Sequence, residues 1–460
     1  MGVQNSSIEY ISQIITLQRD FFRSGATLDL KFRREMLHRL HNGLRRWEKQ
    51  LAEALWSDLH KSYEEAYMTE FGILYGEINN HIKHLSSWAK PKCAGLSLKT
   101  FPSRSKIMSE PLGNTLIISP WNYPVQLLLN PLVGAISSGC TALLKPSPYT
   151  PNVAKVLEKM VADTFDEEYV GVVQGNREVN RYLLEQRFDL IFFTGSPVLG
   201  REVMAAAAKN LTPVILELGG KSPCIVDKEA NIKVAAKRIA WGKSLNAGQT
   251  CIAPDYLLVH EDIKEEFVAA LERSFTELLT PEPRRAKHFV RIVSDRAFDR
   301  LTGYLNDGNI RFGGDNSREE RFIAPTLLEN VSPTAPVMQE EIFGPIFPLL
   351  TFGETEEAID FIVKREKPLS LYYFGSEQKG KEVLRRTSSG GACLNDVIMH
   401  IANENTPFGG VGNSGMGSYH GKESFDAFSH RKSVLSTTTL LDVPFRYMPY
   451  RLFSLIKKMM

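Results

Sequence analysis

Cys251 sits in the stretch SLNAGQTCIAP (244–254), among Asn246, Gly248, Gln249 and Thr250 rather than among leucines. Only a thiolate is a good nucleophile, and helix N-termini, oriented backbone amides and cations lower a thiol's pKa from about 8.5. Gly248 would let the backbone turn tightly and bring N–H groups close. A lone cysteine is by default a packed one, so the neighbourhood leaves nucleophile and structural thiol level. Glu217 opens ELGGKSP (217–223) at the end of an apolar run. A carboxylate ending a parallel strand faces the crevice where ligands bind, and burial would raise its pKa toward that of a general base. The alternative is an ion pair with Lys221.

PWNYP (120–124) holds Asn122 between two prolines. A rigid amide donor suits an oxyanion hole; an Asx-turn residue bonding its own backbone fits equally well. Lys145 ends an apolar run in KPSP (145–148) and could reach a ribose or phosphate, or simply be solvated. FTGS (193–196), with Gly195 and Gly200, could open a helix over a pyrophosphate, although the spacing is not GxGxxG. EEIFGPIFP (340–348) carries Glu341 and Phe343 and reads in isolation as a turn. The ten histidines and five cysteines show no metal-ligand spacing, so no metal is expected.

These residues need elements to hold them. Residues 28–56 read as a long amphipathic helix, with Met36, Leu40, Leu44, Trp47, Leu51 and Leu55 at three- and four-residue steps. Residues 64–90 also read as helix, and prolines then break the pattern. Strands are expected at 115–119, 141–145, 170–174, 189–193 and 213–218. Between them lie helices at 125–136 (broken near Pro131), 151–164, 177–186 and 198–210. Short apolar runs separated by helices make a parallel, doubly wound α/β sheet, which binds nucleotides beyond its strands' carboxyl ends. A second α/β region follows, with strands at 223–227, 256–260 and 369–375 and helices at 231–243 and 262–279. The glycine-rich stretch 403–421 has no periodicity, and SVLSTTT (433–439) reads as a strand that could pair with another subunit.

The bulk numbers set bounds. The chain has 460 residues, 43% hydrophobic and 23% charged, enough for two or three domains. A net charge of +2 gives no basic excess for nucleic acid. The odd count of scattered cysteines, without CxxC, fits a reducing compartment. No secretory signal is visible in MGVQNSSIEY, whose Gly2 and Ser6 match the start of a short, common myristoylation pattern. No apolar run reaches the roughly 20 residues of a membrane span.

In this order, PWNYP, KPSP, FTGS, ELGGKSP, AGQTC, EEIFGP and PFGGVGNSGMG resemble the aldehyde dehydrogenase superfamily across nearly the whole chain. LTPVILELGGKSPCIVD, GACLNDVIMH and NSGMGSYHGKESFDAFSHRKSVL are similar to its class 3 branch, which includes fatty aldehyde dehydrogenases. The resemblance implies a Rossmann-like cofactor domain (1–90 and 109–217), a second α/β catalytic domain (218–402) and a small β bridging, oligomerising element (91–108 and 425–445). An amphipathic tail (446–460) would follow. It implies Cys251 as nucleophile, Asn122 and the Cys251 amide as oxyanion hole, and Glu217 as general base. Trp121, Lys145, Gly195, Ser196, Gly200, Leu218, Glu341 and Phe343 would contact NAD or NADP. Where the family often has KPSE, position 148 is proline; loss of that carboxylate removes one reason to reject a 2′-phosphate, so NADP use is expected beside NAD.

The expected reaction is NAD(P)-dependent oxidation of aliphatic, medium- to long-chain aldehydes to acids, through a thiohemiacetal and a thioester hydrolysed by Glu217-activated water. A coenzyme A-acylating enzyme and a catalytically silent nucleotide-binding scaffold are the alternatives. A cytoplasmic homodimer is expected, touching membrane at most through the tail, where Phe445, Tyr447, Leu452 and Phe453 mix with Arg446, Arg451 and Lys457.

Overall fold

The periodic leucines of the first long helix are the clearest case of sequence dictating structure. In the computed structural model, which describes residues 4–95, 97–442, 447–450, 453, 454 and 457, the helix runs from Leu30 to Leu59. Leu37, Leu40, Leu44, Leu51 and Leu55 are fully buried on its inner face.

The alternating apolar runs form a parallel sheet whose strands are Asn114–Ile118, Thr141–Lys145, Val170–Val172, Leu190–Thr194 and Val214–Glu217. Numbered along the chain, they lie side by side in the order 3-2-1-4-5. Connections therefore reverse direction between Asn114–Ile118 and Leu190–Thr194, and such a switch point opens a crevice at the strands' carboxyl ends. A sixth strand, Gly415–Met416, pairs antiparallel with Val214–Glu217. It comes from the glycine-rich stretch and lies far outside residues 109–217.

The seven-stranded second sheet also runs mostly parallel. Its central strands are Ile346–Phe352, Tyr256–His260, Pro223–Val226 and Ser370–Phe374, with Gly391–Leu394 at one edge. The turn read in EEIFGPIFP ends at Pro345, and the last three residues of that stretch open Ile346–Phe352, an interior strand with Pro348 inside it. Proline lacks an N–H for a ladder. Pro348 pairs on one side with Leu328, and pairing to Tyr256–His260 begins one residue later, at Leu349.

One further expectation changes. The helix Gln126–Ser138 passes through Pro131 without a break, and all its residues are buried, so packing holds it despite the missing donor. The C-terminal strand, Ser429–Ser436, pairs within its own chain, antiparallel to Arg104–Pro111, in a sheet with Lys92–Cys93. Gly2 and most of the 446–460 tail lie outside the described residues. Among those described, no helix is long and apolar enough to cross a membrane.

Candidate active site

A cavity of about 1000 Å³ opens at the carboxyl ends of the first sheet, between it and the second. It brings together nine of the eleven residues singled out above: Trp121, Asn122, Gly195, Ser196, Glu217, Leu218, Cys251, Glu341 and Phe343. Lys145 and Gly200 do not line it.

The thiol is presented by a strained turn. After the helix Ile232–Ser244, residues Asn246, Ala247 and Gly248 all take left-handed φ values of 52°, 52° and 70°. Such a conformation costs of order 1–3 kcal/mol at non-glycine residues and persists only when its surroundings over-determine it. They do so here. The Asn246 amide donates to Glu65 Oε1 (2.8 Å), its side chain donates to the carbonyls of Asn122 and Gln249 (3.0 Å each), and Gln249 Nε2 donates back to the Asn246 carbonyl (3.0 Å). Gly248 is required, since a Cβ there would meet the Gly344 carbonyl at 2.4 Å. Cys251 emerges from this turn partly exposed to the cavity. Burial, then the Glu341 and Glu217 carboxyls, push its thiol above the ordinary range, while the amides of Cys251 and Ile252 pull the other way. The amides that sequence reasoning looked for are present, but desolvation and two acids outweigh them.

Glu217 ends its strand with 3% exposure, and neither carboxylate oxygen has a hydrogen-bond partner. Burial raises its pKa well above the usual carboxylate value. The alternative ion pair is absent. Lys221 instead pairs with Asp255 and donates to the carbonyls of Val337 (2.7 Å) and Glu340 (2.9 Å). Asn122 is no Asx turn, because its Oδ1 accepts no hydrogen bond, while its Nδ2 donates to the carbonyl of Gln249 (3.1 Å), 127 positions away. An amide carries two N–H groups, so one is tethered and the other can serve the cavity.

The opposite wall is the loop before Ile346. Asp255 accepts from the Ile342 amide (2.8 Å), and Arg300 donates to the carbonyls of Glu341 (3.2 Å) and Ile342 (2.7 Å). The Glu341 carboxyl lies so close to Gly219 that a Cβ there would meet it at 2.0 Å. Its pKa is pushed up to about 8, chiefly by burial and then by Asp255. Phe343 packs edge-on to Trp121 with ring centroids 5.3 Å apart. Ser196 caps the helix Pro197–Ala208, whose N-terminus opens on the cavity. Gly200 is a packing residue, since a Cβ there would strike Leu218 at 2.7 Å. Lys145 is buried and donates to the Pro146 carbonyl (2.9 Å), and burial lowers its pKa to about 8.

A crevice at a switch point, a helix N-terminus on its wall and an edge-to-face aromatic pair fit a dinucleotide. Sequence reasoning missed Arg300, Lys221 and Asp255, which fix the Glu341 loop, and Lys61, Glu65 and Glu70, which fix the Asn122 and Asn246 turns. Of these only Lys221 lies in a quoted motif, ELGGKSP, and it holds the Glu341 loop rather than pairing with Glu217. Among the described residues no group of three or more His, Cys, Asp or Glu gathers as a metal site.

The model of the aldehyde dehydrogenase family matches residues 1–434. The chain is 47% identical over 434 residues to the 4,4'-diaponeurosporen-aldehyde dehydrogenase of Staphylococcus aureus (strain NCTC 8325 / PS 47), covering 94% of this chain and 95% of the relative. It is 44% identical over 431 residues to a Rattus norvegicus protein named aldehyde dehydrogenase, dimeric NADP-preferring, covering 94% and 95%. The solved structure of the substrate-bound state of Staphylococcus aureus AldH superposes with a TM-score of 0.96 at 46% identity, covering 97% of this chain and 99% of that one.

Proposed function

The chain belongs to the aldehyde dehydrogenase family, and from that premise we propose how its cavity oxidises an aldehyde. The protein is an NAD(P)-dependent aldehyde dehydrogenase, and in our reading Cys251 is its nucleophile, Asn122 its oxyanion donor and Glu217 its base. The observation that carries this reading is the Glu217 carboxyl: buried, unpartnered and on the same cavity as the thiol.

The Cys251 thiol passes its proton to solvent water in the cavity, and its sulfur bonds to the aldehyde carbon. The carbonyl electron pair moves onto oxygen, and the thiohemiacetal oxyanion takes hydrogen bonds from Asn122 Nδ2 and the Cys251 amide. Each such donor contributes about 3 kcal/mol in a water-poor site. NAD(P)+, when bound, supplies the hydride acceptor, leaving a thioester on Cys251. Glu217 then takes a proton from water, the resulting hydroxide bonds to the thioester carbon, and the carbon–sulfur bond breaks to release a carboxylic acid. Splitting the oxidation in two lowers each barrier. Coenzyme A in place of water would leave Glu217 without a task.

We further propose that Trp121, Leu218 and Phe343 flank the nicotinamide end, Glu341 holds its ribose, Gly195 and Ser196 lie by the pyrophosphate, and Lys145 turns toward the adenosine ribose. Gly200 contributes by seating its helix. Pro148, in place of an acid, supports use of both cofactors, and the rat relative's name supports it too. That name also supports a homodimer. Apolar walls, with Trp121, Leu127 and Phe343, support aliphatic medium- to long-chain substrates. Five unpaired cysteines support a cytoplasmic setting, and liposome binding that is lost on deleting 445–460 would extend it to the membrane surface. The six-, seven- and three-stranded sheets support the division into cofactor, catalytic and bridging parts given above.

The test is reduction of NAD and NADP with acetaldehyde, hexanal, dodecanal and benzaldehyde, beside Cys251→Ala. The expected result is turnover that rises with chain length and disappears in the variant. Turnover that survives in Cys251→Ala contradicts the covalent reading. Turnover of wild type only with coenzyme A contradicts the role of Glu217, and NAD binding with no turnover of any kind supports the scaffold.

A further inference from the structure

A buried ion pair lies behind the cavity, in a segment that no step above uses. Lys61 and Glu70 are both fully buried and 2.8 Å apart. Lys61 Nζ also donates to the main-chain carbonyl of Asn122 (3.1 Å) and sits 4.2 Å over the ring of Tyr123. The other oxygen of Glu70 accepts from the amides of Val125 (2.8 Å) and Gln126 (3.2 Å). The pair thus grips both sides of the Pro120–Pro124 turn.

We propose that Lys61, held by Glu70, is a positioning residue that aims the side chain of Asn122 at the oxyanion. The proposal rests on the oxyanion role given to Asn122 above. Three observations carry it.

The pair is costly to bury: two desolvated charges are weak contributors to stability, and apolar residues of similar volume often serve as well or better. Here the side-chain hydrogen bonds beyond the pair go to the Pro120–Pro124 turn and to the two residues that follow it. The Asn122 carbonyl receives two donors, Lys61 Nζ and Asn246 Nδ2. Its side-chain amide is tethered to Gln249, two residues before Cys251. Tyr123, under the lysine, donates to or accepts from Thr250 Oγ1 at 2.6 Å, next to the thiol. With the carbonyl pinned from two directions the Asn122 Cα–Cβ bond is held, and the tether to Gln249 then sets the direction of the side chain.

The backbone is also shaped to deliver Glu70. Residues Tyr67–Phe71 form one turn of π-helix, with the Gly72 amide bonded to the Tyr67 carbonyl five residues back. Such wide turns are uncommon and often occur at functional sites. This one carries the glutamate inward.

The test is a double-mutant cycle between Lys61→Met and Asn122→Ala, read as kcat and as KM for hexanal and NAD. A reacting group misplaced by about 1 Å costs roughly 100-fold in rate. In wild-type background Lys61→Met is expected to lower kcat about 30- to 100-fold with either KM within about threefold, while the rate of Cys251 alkylation by iodoacetamide stays within about threefold. In the Asn122→Ala background the same substitution should add less than about threefold, because the group it aims is gone. Lys61→Arg should restore part of kcat. If Lys61→Met does not give folded protein, Glu70→Gln, which keeps an acceptor for Val125 and Gln126, carries the cycle with a smaller expected loss of about 5- to 10-fold. Losses that multiply in the double variant, or a folded variant with wild-type kcat, overturn the proposal. If Asn122→Ala alone leaves kcat unchanged, the oxyanion reading fails, and this proposal with it.

Discussion

Asn122 and Glu217 face one cavity and are equally buried, at 2% and 3% exposure, yet the protein treats them differently. Asn122 is tied at its carbonyl by Lys61 and Asn246 and at its amide by Gln249. Glu217 has no tie at either oxygen. A donor that stabilises developing charge works best when aimed beforehand, so that nothing reorganises during reaction. A base must pick up and release protons and reach a water, and a fixed partner would lower its pKa and occupy it. The tied side of the cavity is stabilised by many bonds. The untied side costs stability, because a buried polar group without a partner is unfavourable.

Substitutions at the two sites should separate these roles. The largest effect is expected at Glu217→Gln, where steady-state kcat falls on the order of 1000-fold while the melting temperature holds or rises, since an isosteric amide is cheaper to bury unpartnered. A fall in melting temperature would show the carboxyl to be structurally tied after all. Asn122→Ala should cost about 100-fold in kcat and also lower the melting temperature, because it breaks the bond to Gln249; steady-state kinetics and calorimetry together check this. In wild type, raised pKa values at Cys251 and Glu217 mean that both groups are protonated at low pH. The rate should therefore climb with pH, with a slope approaching tenfold per unit below the controlling pKa. A flat profile between pH 6 and 8 would rule out control by either group. The smallest effect is expected at Lys145. Its folded pKa of about 8 lies below the ordinary 10.5, so the unfolded chain binds more protons between those values. Stability then rises with pH across that window, by up to about 3 kcal/mol from this group. Lys145→Met should remove this rise relative to wild type in denaturant titrations, and should raise KM for the cofactor several-fold.

The same contrast explains what the sequence made legible. The parallel sheet could be read strand by strand, because runs such as TALLK and DLIFF are buried on both faces and need no partner to be recognised. Cys251, Glu217 and Asn122 could be read because each sits in a short stretch of glycine, proline or small polar residues that only a special backbone requires. The ties were not legible. Lys61 follows the long helix and Glu70 lies in helical sequence, both far upstream of Asn122, and nothing local distinguishes a lysine aimed at a distant carbonyl from a solvated one. The strand after Pro345 was not legible either, because only the register of both neighbouring strands shows that the missing donor of Pro348 is tolerated. The pairing of Ser429–Ser436 with its own chain depends on Arg104–Pro111, over 300 residues earlier.

The division of labour between the tied donor and the untied base is tested most directly by stopped-flow measurement of NADH formation on mixing enzyme and NAD with hexanal. Glu217→Gln should form NADH in a burst approaching one equivalent per active site and then stall, because acylation of Cys251 proceeds and hydrolysis does not. Asn122→Ala should show no burst, its slow first step limiting every turnover. A Glu217→Gln enzyme that loses the burst as completely as Asn122→Ala would contradict the account, since both groups would then serve the same step.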